Sequence, residues 1–376
     1  MTTDAYLVSA RKYRPQRWDT VVGQESVTST LKKAVATGEI GQAYLFCGPR
    51  GVGKTTCARI FAKAINEGTE ETTPESGLDI MGGDDGNDWS FNIFEMDAAS
   101  NSSVDDIRNL TDQVRIPPQN GNYKVYIIDE VHMLSKSAFN AFLKTLEEPP
   151  PHAIFILATT EKHKVIPTIL SRCQIFDFHR IKTTDMVAQL QKIVADKGIE
   201  AEPEALHVIA EKADGAMRDA LSIFDQCVAF TSGKLTYDAV TQNLNVLGHD
   251  LFHRITEAIK NEDIPAVLNE INGVVTNGFD LHHFINGMGT HFRNLLIGNQ
   301  PETLSLLEVS DSIKEKIQEQ SAQFEVSFLQ NALNVINEAD IQYRRVQNTR
   351  LHTELALMKI CSLHQRIREK KKAASN

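Results

Sequence analysis

The sequence predicts an α/β domain on a parallel sheet covered on both faces, followed by a region that is helical throughout. Three observations predict it. Short apolar runs at Ala43–Cys47, Lys124–Ile128 and Ala153–Ala158 alternate with segments of helical period. A glycine-rich loop, Gly48–Thr55, joins the first run to a helix. From Arg180 onward only helical periodicity is found.

Taken in order, Ala43–Cys47 is the first strand and Thr55–Ile65 the helix after the loop. Glu67–Asn92, rich in Gly, Asp, Glu and Thr, reads as a solvated surface insertion. Phe91–Met96 is the second strand. Val104–Val114 is a helix, entered through Ser100–Ser103, whose short polar side chains suit an N-cap. Lys124–Ile128 is the third strand. Ser137–Leu146 is a helix stopped by Pro149-Pro150-Pro151, and Ala153–Ala158 the fourth strand. Thr183 or Thr184 caps Met186–Asp196, Pro203 opens Glu204–Ala213, and Asp214-Gly215 punctuates before Met217–Phe230. Thr236–Asn243 ends a small all-α domain. Past a boundary at Leu247–Asp250, amphipathic stretches at Leu251–Lys260, Ile264–Thr276, Leu281–Ile297, Phe324–Glu338 and Ile341–Ile367 form a third, helical domain. The expected domains are 1–180, 181–246 and 247–376.

Composition narrows the function classes. The 376 residues are 41% hydrophobic and 23% charged, which excludes a collagen, a disordered tail and a disulfide-stapled miniprotein. No apolar run approaches the ~18 residues of a membrane helix. Met1–Arg17 has no apolar core of a secretory leader, so a cytoplasmic location without membrane contact is expected. The five cysteines are scattered singly, with no Cys-x-x-Cys pair. The net charge of −10 argues against a protein that coats DNA by bulk charge. Eight of the acids, with no Lys or Arg, lie in Glu67–Asn92, and the remainder carries only −2. Local basic faces elsewhere are therefore free to meet phosphate.

Gly48-Pro49-Arg50-Gly51-Val52-Gly53-Lys54-Thr55, followed by Thr56, fits G-x-x-x-x-G-K-[ST] in full, between a strand and a helix. The glycines let backbone N–H groups close around phosphate, and the helix N-terminus adds partial positive charge. Lys54 reaches the β/γ-phosphates and Thr55 ligates Mg²⁺. The apolar run Val125–Ile128 ends in Asp129 and Glu130, at the carboxyl edge where open α/β sheets bind ligands. Asp129 is expected to hold Mg²⁺, and Glu130 to orient or deprotonate the attacking water. A Thr hydroxyl of Thr159-Thr160 is placed to meet the γ-phosphate or that water. Arg172, after a helix, could face a neighbour's site, and Arg218 could lean back onto the phosphates.

In these motifs the sequence resembles the gamma/tau subunits of bacterial DNA polymerase III, the AAA+ ATPases of the sliding-clamp loader. The resemblance rests on Ala10–Pro15, Val21–Gln24, Ala43–Phe46, the phosphate loop, Asp97–Ser100, Asp129–Leu134, Leu143–Pro150, Ala158–Thr160, Ile169–Cys173 and Arg218–Leu221. It implies an AAA+ module, a lid and a helical collar that holds a pentameric ring with delta-type and delta-prime-type subunits. It makes Lys54 and Thr55 Walker A, Asp129 and Glu130 Walker B, Thr160 sensor 1 and Arg218 sensor 2. Arg172 becomes an arginine finger. Arg11, Tyr13, Pro15, Val21 and Val22 would pack on the adenine. The implied activity is ATP hydrolysis that opens the sliding clamp and loads it on primed DNA.

The sequence departs from the family at Glu67–Asn92. Relatives usually carry a four-cysteine zinc module there, and this interval has neither Cys nor His, so no zinc is expected. Contact with the primer–template backbone is expected from Ser100 and Asn101 at a helix N-terminus, from Arg108 and from Lys144. Two other functions compete. A Holliday-junction branch-migration ATPase is disfavoured by Ser171-Arg172-Cys173, and a non-hydrolysing structural subunit by the intact Lys54-Thr55 and Asp129-Glu130.

Overall fold

The computed structural model describes residues 8–67, 89–118, 121–231, 233–307 and 309–363. The chain divides into two compact units, Met1–Lys197 with Ile209–Gln226, and Gly198–Val208 with Cys227–Asn376. Most of the Glu67–Asn92 insertion lies outside the described residues.

In the first unit, α1 (Ser9–Lys12) and α2 (Glu25–Thr37) precede β1 (Ala43–Cys47). Then come α3 (Lys54–Glu67), β2 (Ile93–Asp97), α4 (Val104–Val114), β3 (Lys124–Asp129), α5 (Lys136–Glu147), β4 (Ala153–Thr159), α6 (Pro167–Leu170) and β5 (Gln174–Asp177). The five strands form one parallel sheet in the order β2-β3-β4-β1-β5. The expected parallel α/β fold is present. The N-terminal helix α2 and the edge strand β5 add to the elements read from sequence. Phe91 belongs to a short 3-10 turn, so β2 starts two residues later than expected.

Side-chain alternation along β1 explains why both faces are covered. Leu45 and Cys47 face α4 and α5, packing with Ile107, Leu110, Phe139 and Phe142. Tyr44 and Phe46 face α2 and α3, packing with Leu31, Cys57 and Phe61. A strand buried on both faces must be apolar at every position, and all five residues of β1 are buried. Phe61, fully buried against the edge of the Tyr44 ring, is the kind of residue whose truncation to Ala costs about 3–5 kcal/mol.

The helices α7 (Thr183–Lys197), α8 (Pro203–Lys212) and α9 (Met217–Thr231) follow. The second unit contains a two-stranded parallel ladder, β6 (Glu200–Ala201) with β7 (Lys234–Leu235). This corrects the expectation of helix alone after Arg180; two-residue strands carry no readable period. Its helices are α10 (Tyr237–Asn243), α11 (His249–Lys260), α12 (Ile264–Thr276), α13 (Leu281–Gly298), α14 (Asp311–Ser321), α15 (Val326–Tyr343) and α16 (Thr349–Cys361). Helix α13 supplies Phe284, Ile285, Met288 and Phe292 to a core shared with Phe328, Leu329 and Ile336 of α15. Gly287 lets α13 and α11 approach, since a Cβ there would stand 2.3 Å from the Phe252 ring. The stretch Ile341–Ile367 is not one helix: α15 ends at Tyr343, and Asn348 caps α16 by accepting from the Leu351 N–H.

Candidate nucleotide site

The loop after β1 is built on backbone that only glycine adopts cheaply. Gly48 has φ +150°, and a Cβ on it would stand 2.4 Å from the Phe178 carbonyl oxygen. Gly51 has φ +78°, and its Cβ would stand 2.9 Å from that of Ala216. The loop delivers Lys54 to the first turn of α3, where it is buried at 6% exposure. Its Nζ donates to the carbonyls of Gly48 and Pro49, both at 2.7 Å. Burial pulls the Lys54 pKa below its ordinary value, opposed by the nearby Glu130 and Asp129 carboxylates.

Thr55 Oγ1 donates to Asp129 Oδ2 at 2.7 Å, so two hard oxygens from α3 and the end of β3 meet. Glu130, at φ +48°, leaves the strand line. Its Oε2 accepts from the Thr160 hydroxyl at 2.9 Å and from the Thr160 N–H at 3.2 Å. His132 Nδ1 lies 3.3 Å from the same oxygen and 3.0 Å from Thr159 Oγ1, and its Nε2 lies 3.2 Å from Glu161 Oε2. His132, a residue that received no role from sequence, thus braces the carboxylate from a buried position. Its sequence signals are its place two residues after Glu130 and its inclusion in the Asp129–Leu134 string.

Lys54, Thr55, Asp129 and Glu130 open onto a cavity of about 440 Å³ beyond the carboxyl ends of β1 and β3. Arg50 through Thr56, Asp129 and Glu130 line one side. Ala10, Tyr13, Arg14 and Pro15, with Thr20, Val21 and Val22, line another. Gln189 of α7 and Met217, Arg218 and Leu221 of α9 close it. Of the sequence-expected residues, the structure brings Arg50–Thr56, the β3 acids, Arg218, Tyr13, Pro15, Val21 and Val22 to this one space, while Gly48 and Pro49 sit behind Lys54 and Thr160 behind Glu130. Arg11 is corrected. It is exposed and does not line the cavity, whereas Ala10 of α1 and Tyr13, Arg14 and Pro15 just past its end do. Arg14 takes the place expected of Arg11. Desolvation and the like charges of Arg59 and Arg218 hold its pKa below the ordinary value.

Arg172 lies outside the cavity. Its Nη2 pairs with Glu147 at 2.6 Å and its Nη1 donates to the Thr168 carbonyl at 2.8 Å. Ser100, Arg108 and Lys144 are exposed and Asn101 is half-buried; none of the four lines the cavity, although Ser100 follows directly on Ala99, which does. The N-terminus of α4 is already capped: Ser103 Oγ accepts from Asp106 N, while the Ser103 N–H donates to the Asp106 carboxylate at 3.1 Å. Asp105 holds Arg108 at 3.1 Å. Two carboxylates in the first turn leave this helix end poorly suited to a phosphate, against the expectation from sequence.

The oxygen set fits Mg²⁺, which typically takes one or two protein oxygens and fills its shell with phosphate and water. Among the described residues no group of three or more His, Cys, Asp or Glu could hold a metal by itself.

Three family models match the chain. The one described as DNA polymerase III, delta subunit, matches residues 23–182. That for the DNA polymerase III clamp loader subunit, ATPase lid domain, matches 185–233. That for domain III of DNA polymerase III subunits gamma and tau matches 235–375. The chain is 39% identical to DNA polymerase III subunit tau of Bacillus subtilis, over 95% of this chain and 63% of that protein. It is 38% identical to DNA polymerase III subunit gamma of Buchnera aphidicola, over 69% of this chain and 70% of that one. It spans 43% of the Salmonella typhimurium tau subunit, so the first curated relatives extend well beyond the matched region. Among solved structures, it is similar to the Thermotoga maritima RuvB Holliday junction branch migration motor at 19% identity, over 72% of this chain and 86% of that one, with a TM-score of 0.48. A likeness that loose carries no functional argument.

Proposed function

This chain belongs to the gamma/tau subunit family of DNA polymerase III, and from that membership we propose that it is an ATP-hydrolysing motor subunit of a clamp loader. One observation carries the reading: Lys54 and Thr55 of α3 and Asp129 and Glu130 at the end of β3 converge with the phosphate loop on one cavity, where Thr160, after β4, holds the Glu130 carboxylate from behind. In this reading ATP lies with its base against Tyr13, Pro15, Val21 and Val22 and its phosphates in the loop. Lys54 would donate to the β/γ-phosphate oxygens, and Thr55 and Asp129 would hold Mg²⁺, whose charge would offset that developing on the transferred phosphoryl group. Glu130 takes a proton from, or orients, the attacking water, and Thr160 fixes the Glu130 carboxylate. Arg218 leans onto the phosphates from α9, and Arg172 serves a neighbouring subunit. No zinc is used.

The assembly is proposed as a pentameric ring with delta-type and delta-prime-type subunits, in which residues 1–180 form the motor, 181–246 the lid and 247–376 the collar. Hydrolysis would drive opening of the sliding clamp and its loading onto primer–template DNA, gripped by its backbone. The acid at the start of α4 shifts the weight of that DNA contact from Ser100 and Asn101 toward Lys144. The test is ATP turnover of the assembled loader with and without clamp and primed DNA. Turnover stimulated by both is expected; turnover absent under all conditions would overturn the reading.

A further inference from the structure

The segment that walls the base side of the cavity is fastened to the helices on the opposite wall. Ser9, fully buried, opens α1. Its N–H donates to Asp225 Oδ2 at 2.6 Å and its hydroxyl to Asp225 Oδ1 at 2.5 Å. Lys197 Nζ donates to Ser9 Oγ at 2.6 Å and to Asp225 Oδ1 at 3.1 Å. The Lys197 and Asp225 side chains keep only 20% and 11% exposure. Lys197 also stands over the rings of Phe224 and Tyr13, at 5.4 and 5.8 Å. A second tie lies at the surface, where Tyr13 OH donates to Asp196 Oδ2 at 2.5 Å and Lys12 pairs with the same oxygen at 3.1 Å.

Helical spacing connects these ties to the cavity wall. On α9, Arg218, Leu221 and Asp225 follow at intervals of three and four, so the stripe that faces the cavity also carries the Asp225 anchor. On α7, Gln189 reaches the cavity and Asp196 and Lys197 follow two turns later on the same side. A buried pair of this kind adds little net stability compared with apolar packing. What it does fix is position: both oxygens of Asp225 are committed to the start of α1, four residues before Tyr13.

We propose that Ser9, Lys197 and Asp225 form a latch that sets the separation between the Ala10–Pro15 segment and the lid helices α7 and α9, and so positions the wall that grips the nucleotide base. The three are positioning residues, since none of them lines the cavity. The latch rests on the reading of the cavity as an ATP site. It acts on affinity for the base-bearing ligand, while the hydrolytic groups on α3, β3 and β4 are untouched.

The experiment compares ATP with inorganic tripolyphosphate, which has the phosphates and no base, in Mg²⁺-containing calorimetric titrations of the full chain. Asp225→Ala is expected to weaken ATP binding by about tenfold or more. Tripolyphosphate affinity stays unchanged, and kcat at saturating ATP moves by less than about twofold. Asp225→Asn, which keeps an acceptor for Ser9 but loses the charge facing Lys197, falls between. Ser9→Ala, a milder deletion, carries the same comparison if thermal melting shows that Asp225→Ala does not fold. Equal losses for ATP and tripolyphosphate, or no loss for either, would overturn the latch. Failure of the unmodified protein to bind either ligand would instead reject the nucleotide site.

Discussion

Lys54 and Glu130 lie on the same cavity, yet they act at different stages and their substitutions separate cleanly. On the proposed reading Lys54 meets phosphate in the ground state, so Lys54→Ala is expected to abolish measurable ATP binding in fluorescent-nucleotide titrations. On the same reading Glu130 acts on water. Glu130→Gln keeps a carbonyl oxygen that still accepts from the Thr160 hydroxyl and N–H, so the local geometry survives. Binding is then retained, while phosphate release slows by about 10²-fold or more. Near-normal turnover in the Gln variant would remove Glu130 from the chemistry. The bracing by His132 gives a subtler expectation. His132→Ala frees one side of the Glu130 carboxylate and lowers kcat several-fold with little change in ATP affinity, whereas a parallel fall in affinity would mark it as a general support of the loop. At this scale the motif residues were legible because their spacing is imposed by phosphate geometry and survives without knowledge of the fold. Arg14 and His132 were not, because each matters through neighbours brought together only by folding: Arg59 and Arg218 for one, Thr159 and Glu161 for the other.

Among the elements, the histidines of α11 and α13 make a pH-dependent packing. His291 of α13, at 3% exposure, lies 5.0 Å from the His253 ring, and its Nε2 is 3.1 Å from Gln320 Oε1 of α14. Burial, aided by His253, drives the His291 pKa down to about 3. His249 and His253 are lowered as well, chiefly by desolvation, with Lys316 adding to the effect and Asp250 opposing it. The unfolded chain binds a proton on His291 below about pH 6.5 and the folded unit does not. Its contribution is therefore fully present above that pH and is lost as pH falls, by about 1.4 kcal/mol per pH unit until the folded value is reached. Denaturant titrations that follow the helical unit between pH 7 and 5 should show stability falling with pH, and His291→Gln should flatten that fall; an unchanged slope would refute it. The same scale shows where sequence reading stops. Edge strand β5 has only Ile175 and Phe176 as apolar residues and is mostly exposed, so it lacks the unbroken run that revealed β1, β3 and β4. Helix α2 buries only Val27 and Leu31, one turn apart, in a stretch diluted by Ser26, Thr28, Ser29 and Thr30. The break between α15 and α16 has no Gly or Pro, and its one signal, the Asn348 cap, sits within a continuous amphipathic pattern.

For the whole molecule, the position of Arg172 bears on contact between subunits. The sheet order puts the β4–β5 connection, which carries α6 and Arg172, beside β1, yet the guanidinium is absent from the cavity wall and is held by Glu147 and the Thr168 carbonyl at the surface. An exposed ion pair of this kind is worth roughly 0–1 kcal/mol, so a triphosphate on an adjoining subunit would readily displace Glu147. A guanidinium delivered in trans stabilises charge on the transferring phosphoryl group and can be worth about 10³–10⁵ in rate. It would also make hydrolysis in one subunit depend on contact with the next, as the proposed ring would require. The competing role is structural, with Arg172 clamping α5 to α6 through Glu147. Loaders assembled from Arg172→Ala chains, whose phosphate loop is intact, mixed with Lys54→Ala chains, whose Arg172 is intact, distinguish the two. If Arg172 acts in trans, an Arg172→Ala loop next to another Arg172→Ala chain binds ATP and turns over slowly, and the same loop next to a Lys54→Ala chain regains turnover. If turnover instead tracks the Arg172 of the chain that holds the nucleotide, with no mixture restoring it, the residue works within its own subunit.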